Sequence, residues 1–225
     1  MADFIGQRIR SPKAIFLSFL AFAVLLGGGW AAGAPEAQDL DGRVRAFLDG
    51  MGGRWHDLNV SETDARVLYD LIVERGYTRA LEVGTSTGRS GTWIAWALSK
   101  TGGKLITVEI DEDRHAQAVK NFREAGLAAI IDARLADAHE LVPSLAGPFD
   151  FVFLDADKDW NLDYAKSLLP KLAKGGCIAV HNFQGGRRGG WGWSRAYWDF
   201  MSARTDLETR VEERAPGGLV LSFKK

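Results

Sequence analysis

Between Ala80 and Val180 the chain repeats one pattern, a short apolar run followed by a polar turn and a helix-spaced stretch. The runs read as strands at Ala80–Val83, Leu105–Glu109, Ala129–Asp132, Phe151–Leu154 and Cys177–Val180. Between them, apolar residues three and four apart predict helices over Arg89–Ser99, Asp113–Ala125, Ala138–Leu145 and Leu162–Ala173. Such alternation means right-handed crossovers, hence a parallel sheet with helices on both faces. The tail differs. Leu207–Val211 and Leu219–Phe223 flank the turn cluster Ala215-Pro216-Gly217-Gly218, so the last strand returns antiparallel. The expected fold is α/β and doubly wound, a mostly parallel seven-stranded sheet with an antiparallel last strand. Upstream, Ser61-Glu62-Thr63-Asp64 has the spacing of a capping box. It opens a helix with Ala65, Leu68, Leu71 and Ile72 on one face, closed by Gly76, and Arg43–Met51 reads as a smaller helix broken by Gly52-Gly53.

Composition adds limits. The 225 residues are 25% charged and 46% hydrophobic, ordinary for one globular domain with a real core. A net charge of -1 gives no reason to expect a nucleic acid partner. Cys177, the only cysteine, has no internal disulfide partner and does not report the compartment. The N-terminus does. Arg8, Arg10 and Lys13 precede an apolar run from Ala14 to Leu26 and the small residues Ala31-Ala32-Gly33-Ala34. This is the order of a secretory signal, with Pro35 hindering cleavage after Ala34. Counted on to Ala34 and left uncleaved, the segment is about long enough to anchor the chain in the cytoplasmic membrane with its body outside. The bland alternative is a start placed too far upstream, or a core helix, in a cytoplasmic protein. Residues 1–38 are therefore set apart from a domain over 39–225.

Chemistry concentrates where strands end. Phe151-Val152-Phe153-Leu154 runs into Asp155-Ala156-Asp157-Lys158, and Cys177-Ile178-Ala179-Val180 runs into His181-Asn182. Carboxyl ends of parallel strands are where ligands bind. If the two strands are neighbours, Asp155, His181 and Asn182 converge with facing O and N donors, the makings of a divalent metal site. Helix capping by Asp155 and Asp157 is the plainer reading.

Leu81-Glu82-Val83-Gly84-Thr85-Ser86-Thr87-Gly88 lies where the first strand turns into a helix. Glycines there admit a ligand to the backbone. Glu109, ending the second strand, stands where a carboxylate accepts from ribose hydroxyls. Glu82 would repel a pyrophosphate but suits a cationic ligand. A dinucleotide is therefore disfavoured, and S-adenosylmethionine, which carries a sulfonium and no phosphate, fits. Asp137 is placed to meet an adenine amino group or to cap a helix, and the roles are compatible. One rival uses the same letters: Gly84-Thr85-Ser86-Thr87-Gly88 is a G-x-S-x-G, with Ser86, Asp155 and His181 in the order of an α/β-hydrolase triad. Its nucleophile would follow the first strand with no oxyanion turn before it, and Glu82 and Glu109 would go unexplained. A non-catalytic nucleoside-binding domain is the third reading.

With these residues in hand, the chain resembles a class I S-adenosylmethionine-dependent methyltransferase. It is most similar to the cation-dependent catechol and caffeoyl-CoA O-methyltransferases. The resemblance runs from about Asn59 to the C-terminus and rests on Asn59-Val60-Ser61-Glu62, Leu81–Ser90, Val108-Glu109-Ile110-Asp111 and Phe149–Lys158. It implies a cofactor site lined by Val60, Glu82, Gly84, Ser86, Ser90, Glu109 and Asp137. It also implies Asp155 and Asn182 as metal ligands, with Lys158 and Asp155 serving catalysis near the acceptor hydroxyl. His181 departs from it, because better-known members carry an aspartate there. An imidazole shifts preference from Mg²⁺ toward Mn²⁺ or another transition ion, or leaves no metal and His181 as base. The implied partner is a small, aromatic hydroxyl acceptor, and a homodimer is compatible with the resemblance. Trp191, Trp193 and Tyr197, around the loop Gly185–Trp193, would offer it flat apolar faces.

Overall fold

The computed structural model describes residues 34–55, 57–183 and 192–225. Three helices precede or follow the first strand: α1 (Ala34–Met51), α2 (Glu62–Arg75) and, after β1 (Arg79–Val83), α3 (Arg89–Thr101). Then come β2 (Lys104–Glu109), α4 (Glu112–Glu124), β3 (Ile131–Leu135), α5 (Ala138–Ser144), β4 (Phe149–Leu154) and α6 (Asn161–Leu168). The chain closes with β5 (Leu172–His181), α7 (Gly192–Ser202), β6 (Leu207–Glu212) and β7 (Leu219–Lys224).

The seven strands lie in the order β3-β2-β1-β4-β5-β7-β6. All pairs are parallel except those of β7, which runs antiparallel between β5 and β6. Side chains of successive strand residues go to opposite faces, and both faces are covered. Phe151, Phe153, Cys177 and Ala179 pack with α2 and α3 residues such as Leu68, Ile72, Ile94 and Leu98. Val152, Leu154, Ile178 and Val180 pack on the other side with Val142, Tyr164, Leu168, Tyr197 and Met201. Burial of each such Leu, Phe or Val is worth about 1.5–3 kcal/mol, which is why the central strands read as unbroken apolar runs.

Strand order reverses between β1 and β4. The chain leaves β1 outward to β2 and β3, then crosses back to β4. The loops after β1 and β4 therefore part, opening a crevice at their carboxyl ends. Gly84 fits the close approach there. It adopts φ 98°, and a Cβ on it would lie 2.8 Å from Ala156 N and the Asp155 carbonyl carbon.

Several boundaries differ from the sequence reading. β3 starts at Ile131, because Ile130 closes a turn back to Leu127 and Lys104 Nζ donates to the Ala129 carbonyl. The helix expected over Leu162–Ala173 ends at Leu168, a 3-10 turn carrying Pro170 follows, and Leu172-Ala173 already belong to β5. α1 begins at Ala34, ahead of the expected Arg43 and inside the segment set apart from the domain. α7 was not expected; Ser194, Tyr197 and Met201, at helical spacing, are buried. The apolar run Ala14–Leu26 lies outside the described residues. Among the described residues no helix is long and apolar enough to cross a membrane.

Candidate active site

Glu109 comes to the crevice at the end of β2 with its carboxylate already held. Ser86 N donates to Oε2 at 2.7 Å, and Ile110 N and Asp111 N donate to Oε1 at 3.1 Å each. Three amides fix the group in place, and a carboxylate has about four lone-pair sites, so acceptor capacity is left for a diol. Ser86 can make its bond because it sits in the left-handed region at φ 48°, directly in the glycine loop. The loop is tied from the other side by the Asn59-Val60 segment: Asn59 Nδ2 donates to Thr87 Oγ1 at 2.8 Å and Arg89 Nη1 to the Val60 carbonyl at 3.1 Å.

Glu82 is fully buried beneath this loop. Thr107 Oγ1 donates to its Oε2 at 2.6 Å, while Oε1 has no hydrogen-bond partner. Burial pushes its carboxyl up to about 8, against the hydroxyls of Ser90 and Thr107 that favour the charge. Ser86 Oγ is likewise buried and unpartnered. Unsatisfied acceptors beneath a glycine loop are costly in an empty protein, and they suit a ligand bringing donors and positive charge.

The crevice holds a cavity of about 350 Å³ lined by Gly84, Ser86, Glu109, Asp137, Asp155 and Tyr164, among others. Ile110, 67% exposed, and His139 are lining residues the sequence reading missed. His139 stacks on Trp160 with ring centroids 3.8 Å apart. The only signal for either was its place, one or two residues after Glu109 and Asp137. Asp137 is the N-cap of α5 and accepts from His139 N at 2.8 Å, so the capping role stands and its carboxylate also lines the cavity.

β4 and β5 are neighbours, and their ends meet as expected, but not as an open metal site. Lys158 Nζ donates to Asp155 Oδ1 at 2.5 Å. His181 Nδ1 lies 3.2 Å from the same oxygen, and His181 Nε2 lies 3.3 Å from Asp64 Oδ2. Asp64, 1% exposed, comes from the capping box of α2. It was read only as a helix-start residue, and Ser61 Oγ does accept from its amide. Burial alone would lower the His181 imidazole, but hydrogen bonds and charge from Asp155 and Asp64 outweigh it and raise it to about 9. Asp64 is pulled below the usual carboxylate range: burial opposes this, and His181, Ser61 and the Gly217 amide prevail. Asn182, at φ 59°, is exposed.

This donor set does not suit a divalent cation. A ring between two carboxylates carries a proton on each nitrogen and has no lone pair to give. Among the described residues no group of three or more His, Cys, Asp or Glu is arranged to hold a metal. The hydrolase triad is not assembled either, since His181 spends both nitrogens on carboxylates and Ser86 Oγ has no partner. Tyr197 is fully buried under the sheet, where it packs and offers no face to an acceptor. The loop Gly185–Trp191 and the side chain of Trp193 lie outside the described residues.

A sheet ordered β3-β2-β1-β4-β5-β7-β6 with only β7 reversed, a glycine loop after β1 and a held carboxylate ending β2 are the arrangement of class I S-adenosylmethionine-dependent methyltransferases, and the chain is similar to that class. A family model described as a methyltransferase domain matches residues 81–183. Within the class, the chain is similar to catechol and caffeoyl-CoA O-methyltransferases. It is 41% identical over 104 residues to the catechol O-methyltransferase of Niastella koreensis, covering 44% of this chain and 46% of that one. It is 32% identical over 134 residues to caffeoyl-CoA O-methyltransferase 1 of Zea mays, covering 57% of this chain and 52% of that one. The chain thus spans about half the length of the curated relatives it matches. The O-methyltransferase TomG of Streptomyces achromogenes, solved with S-adenosylmethionine, has a TM-score of 0.65 at 26% identity, over 84% of this chain and 90% of that one.

Proposed function

We propose that this chain is an S-adenosylmethionine-dependent O-methyltransferase for a small aromatic hydroxyl acceptor. The observation that carries the reading is the meeting of two devices on one cavity: the amide-held Glu109 with its glycine loop, and Asp155 at the end of β4, whose carboxylate holds Lys158. S-adenosylmethionine, when bound, supplies a methyl group made electrophilic by the sulfonium. Glu109 would hold the ribose hydroxyls, Ile110 would cover the purine, and Glu82 with the loop hydroxyls of Ser86 and Ser90 would face the positively charged end. Asp137 lines the same cavity, and the Val60 carbonyl, which accepts from Arg89, would help hold the loop.

The chain's own contribution to rate is chiefly positioning, because in-line transfer needs the acceptor oxygen close to the methyl carbon. Asp155 lines the cavity and holds Lys158, so the Lys158 side chain is an ammonium fixed by a carboxylate. It acts by stabilising the developing phenolate, and the phenolic proton leaves to solvent. The test is transfer of a labelled methyl group from S-adenosylmethionine to catechol and to an aliphatic diol of similar size. Labelled catechol ether, with little transfer to the aliphatic diol, is expected. Transfer to the aliphatic diol at an equal rate would remove the aromatic-acceptor reading.

A further inference from the structure

We propose that the Asp64–His181–Asp155 clasp, closed by Lys158, stands in the place of a divalent cation, so that this chain transfers methyl groups without a metal. The inference rests on the methyltransferase reading and adds to it the electrostatics of the acceptor end. Three observations carry it. Both His181 nitrogens face carboxylate oxygens, at 3.2 and 3.3 Å, and a neutral ring would set one lone pair against a carboxylate lone pair. Charge already balances, since the Asp64 and Asp155 carboxylates stand against the His181 imidazolium and the Lys158 ammonium, so a divalent ion, even displacing the imidazolium proton, would leave a net positive charge in a nearly buried cluster. The Asp64 side of the cluster is also closed sterically. Ser61 Oγ donates to Asp64 Oδ2 at 2.8 Å and Gly217 N to Oδ1 at 3.2 Å. A Cβ on Gly217 would run into the Asp64 carboxylate and stand 2.7 Å from His181 Nε2.

The clasp therefore ties α2, the end of β4, the end of β5 and the turn before β7 into one unit. Its output is the fixed Asp155, which lines the crevice and holds Lys158 beside it. There the lysine cation supplies the positive charge toward a phenolate oxygen. In the transfer the O–C bond forms as the C–S bond breaks, its electron pair staying on sulfur as a thioether. Asp64 and His181 are positioning residues, acting through Asp155.

The experiment takes the full chain, titrates it with Mn²⁺ in the presence and absence of S-adenosylhomocysteine by the electron paramagnetic signal of free Mn²⁺, and assays catechol methylation in excess chelator. Wild type should show no stoichiometric Mn²⁺ site and should keep its rate in chelator to within about twofold. His181→Asp removes the imidazolium, and it should bind Mn²⁺ at least roughly tenfold more tightly than wild type and become chelator-sensitive. A stoichiometric Mn²⁺ site on wild type, or a folded His181→Asp still indifferent to Mn²⁺, would overturn the proposal. Where His181→Asp does not fold, the wild-type titration decides alone. A protein that fails to bind S-adenosylhomocysteine refutes the methyltransferase reading instead, while the Mn²⁺ titration still decides on the cation.

Discussion

Replacing His181 by glutamine probes the clasp through the pH dependence of folding. The imidazole moves from 6.5 in the unfolded chain to about 9 in the fold, with the ring only 5% exposed. At about 1.4 kcal/mol per pH unit, that carries roughly 3 kcal/mol of proton-linked stability. The sign follows from the raised value. The contribution is fully present below 6.5 and is lost as pH rises through 9. The groups facing the ring are Asp64 from α2 and Asp155 at the end of β4, with Lys158 beyond it. Glutamine has no proton to lose, and it leaves the two carboxylates without their cation, at a cost of about 3–5 kcal/mol near neutrality. Urea unfolding from mildly acidic to alkaline pH should show the two curves converging by roughly 3 kcal/mol across the 6.5-to-9 window. Slopes common to both proteins, such as that from buried Glu82, cancel in the difference. Parallel curves across the window would refute an imidazolium at this position.

Other substitutions separate the parts of the site. Glu109→Ala should weaken S-adenosylhomocysteine binding by about 1.5–3 kcal/mol, the worth of hydrogen bonds to a charged acceptor; an unchanged calorimetric affinity would remove Glu109 from the site. Lys158→Met should leave that affinity within about twofold and lower the methylation rate by two or more orders of magnitude, as expected for loss of a fixed charge at the developing oxyanion; a fall in affinity with kcat intact would place the lysine elsewhere. Ser86→Ala should keep most transferase activity, because the backbone amide that donates to Glu109 is retained and only one of the loop hydroxyls is lost; inactivation together with loss of an esterase activity would revive the hydrolase.

The sheet was legible because its strands are buried on both faces and so carry continuous apolar runs, and the runs end in the residues that line the crevice. Glu109, Asp155, Lys158 and the glycine loop could be read as ligands-in-waiting for that reason. The clasp could not. Asp64 lies 117 residues before His181, and its local reading as a helix-start residue is also correct, since one side chain serves both. An N3 residue of a capping box is usually Glu or Gln, so the shorter aspartate was the one available sign of another duty. α7 was hidden by its glycine- and tryptophan-rich approach, which outweighed the buried spacing of Ser194, Tyr197 and Met201. β3 and the end of α6 shifted by two to five residues, because turns and Pro170 set those ends where apolar pattern is weak.

Calorimetric titration of the purified chain with S-adenosylhomocysteine, with NAD as the comparison ligand, tests the central claim most directly. Saturable one-to-one binding of S-adenosylhomocysteine with no heat from NAD is the predicted result, since Glu109 is held to accept from a ribose diol while the carboxylates of Glu109 and Asp137 oppose a pyrophosphate. A flat S-adenosylhomocysteine titration on protein shown to be folded, or tighter binding of the dinucleotide, would contradict it.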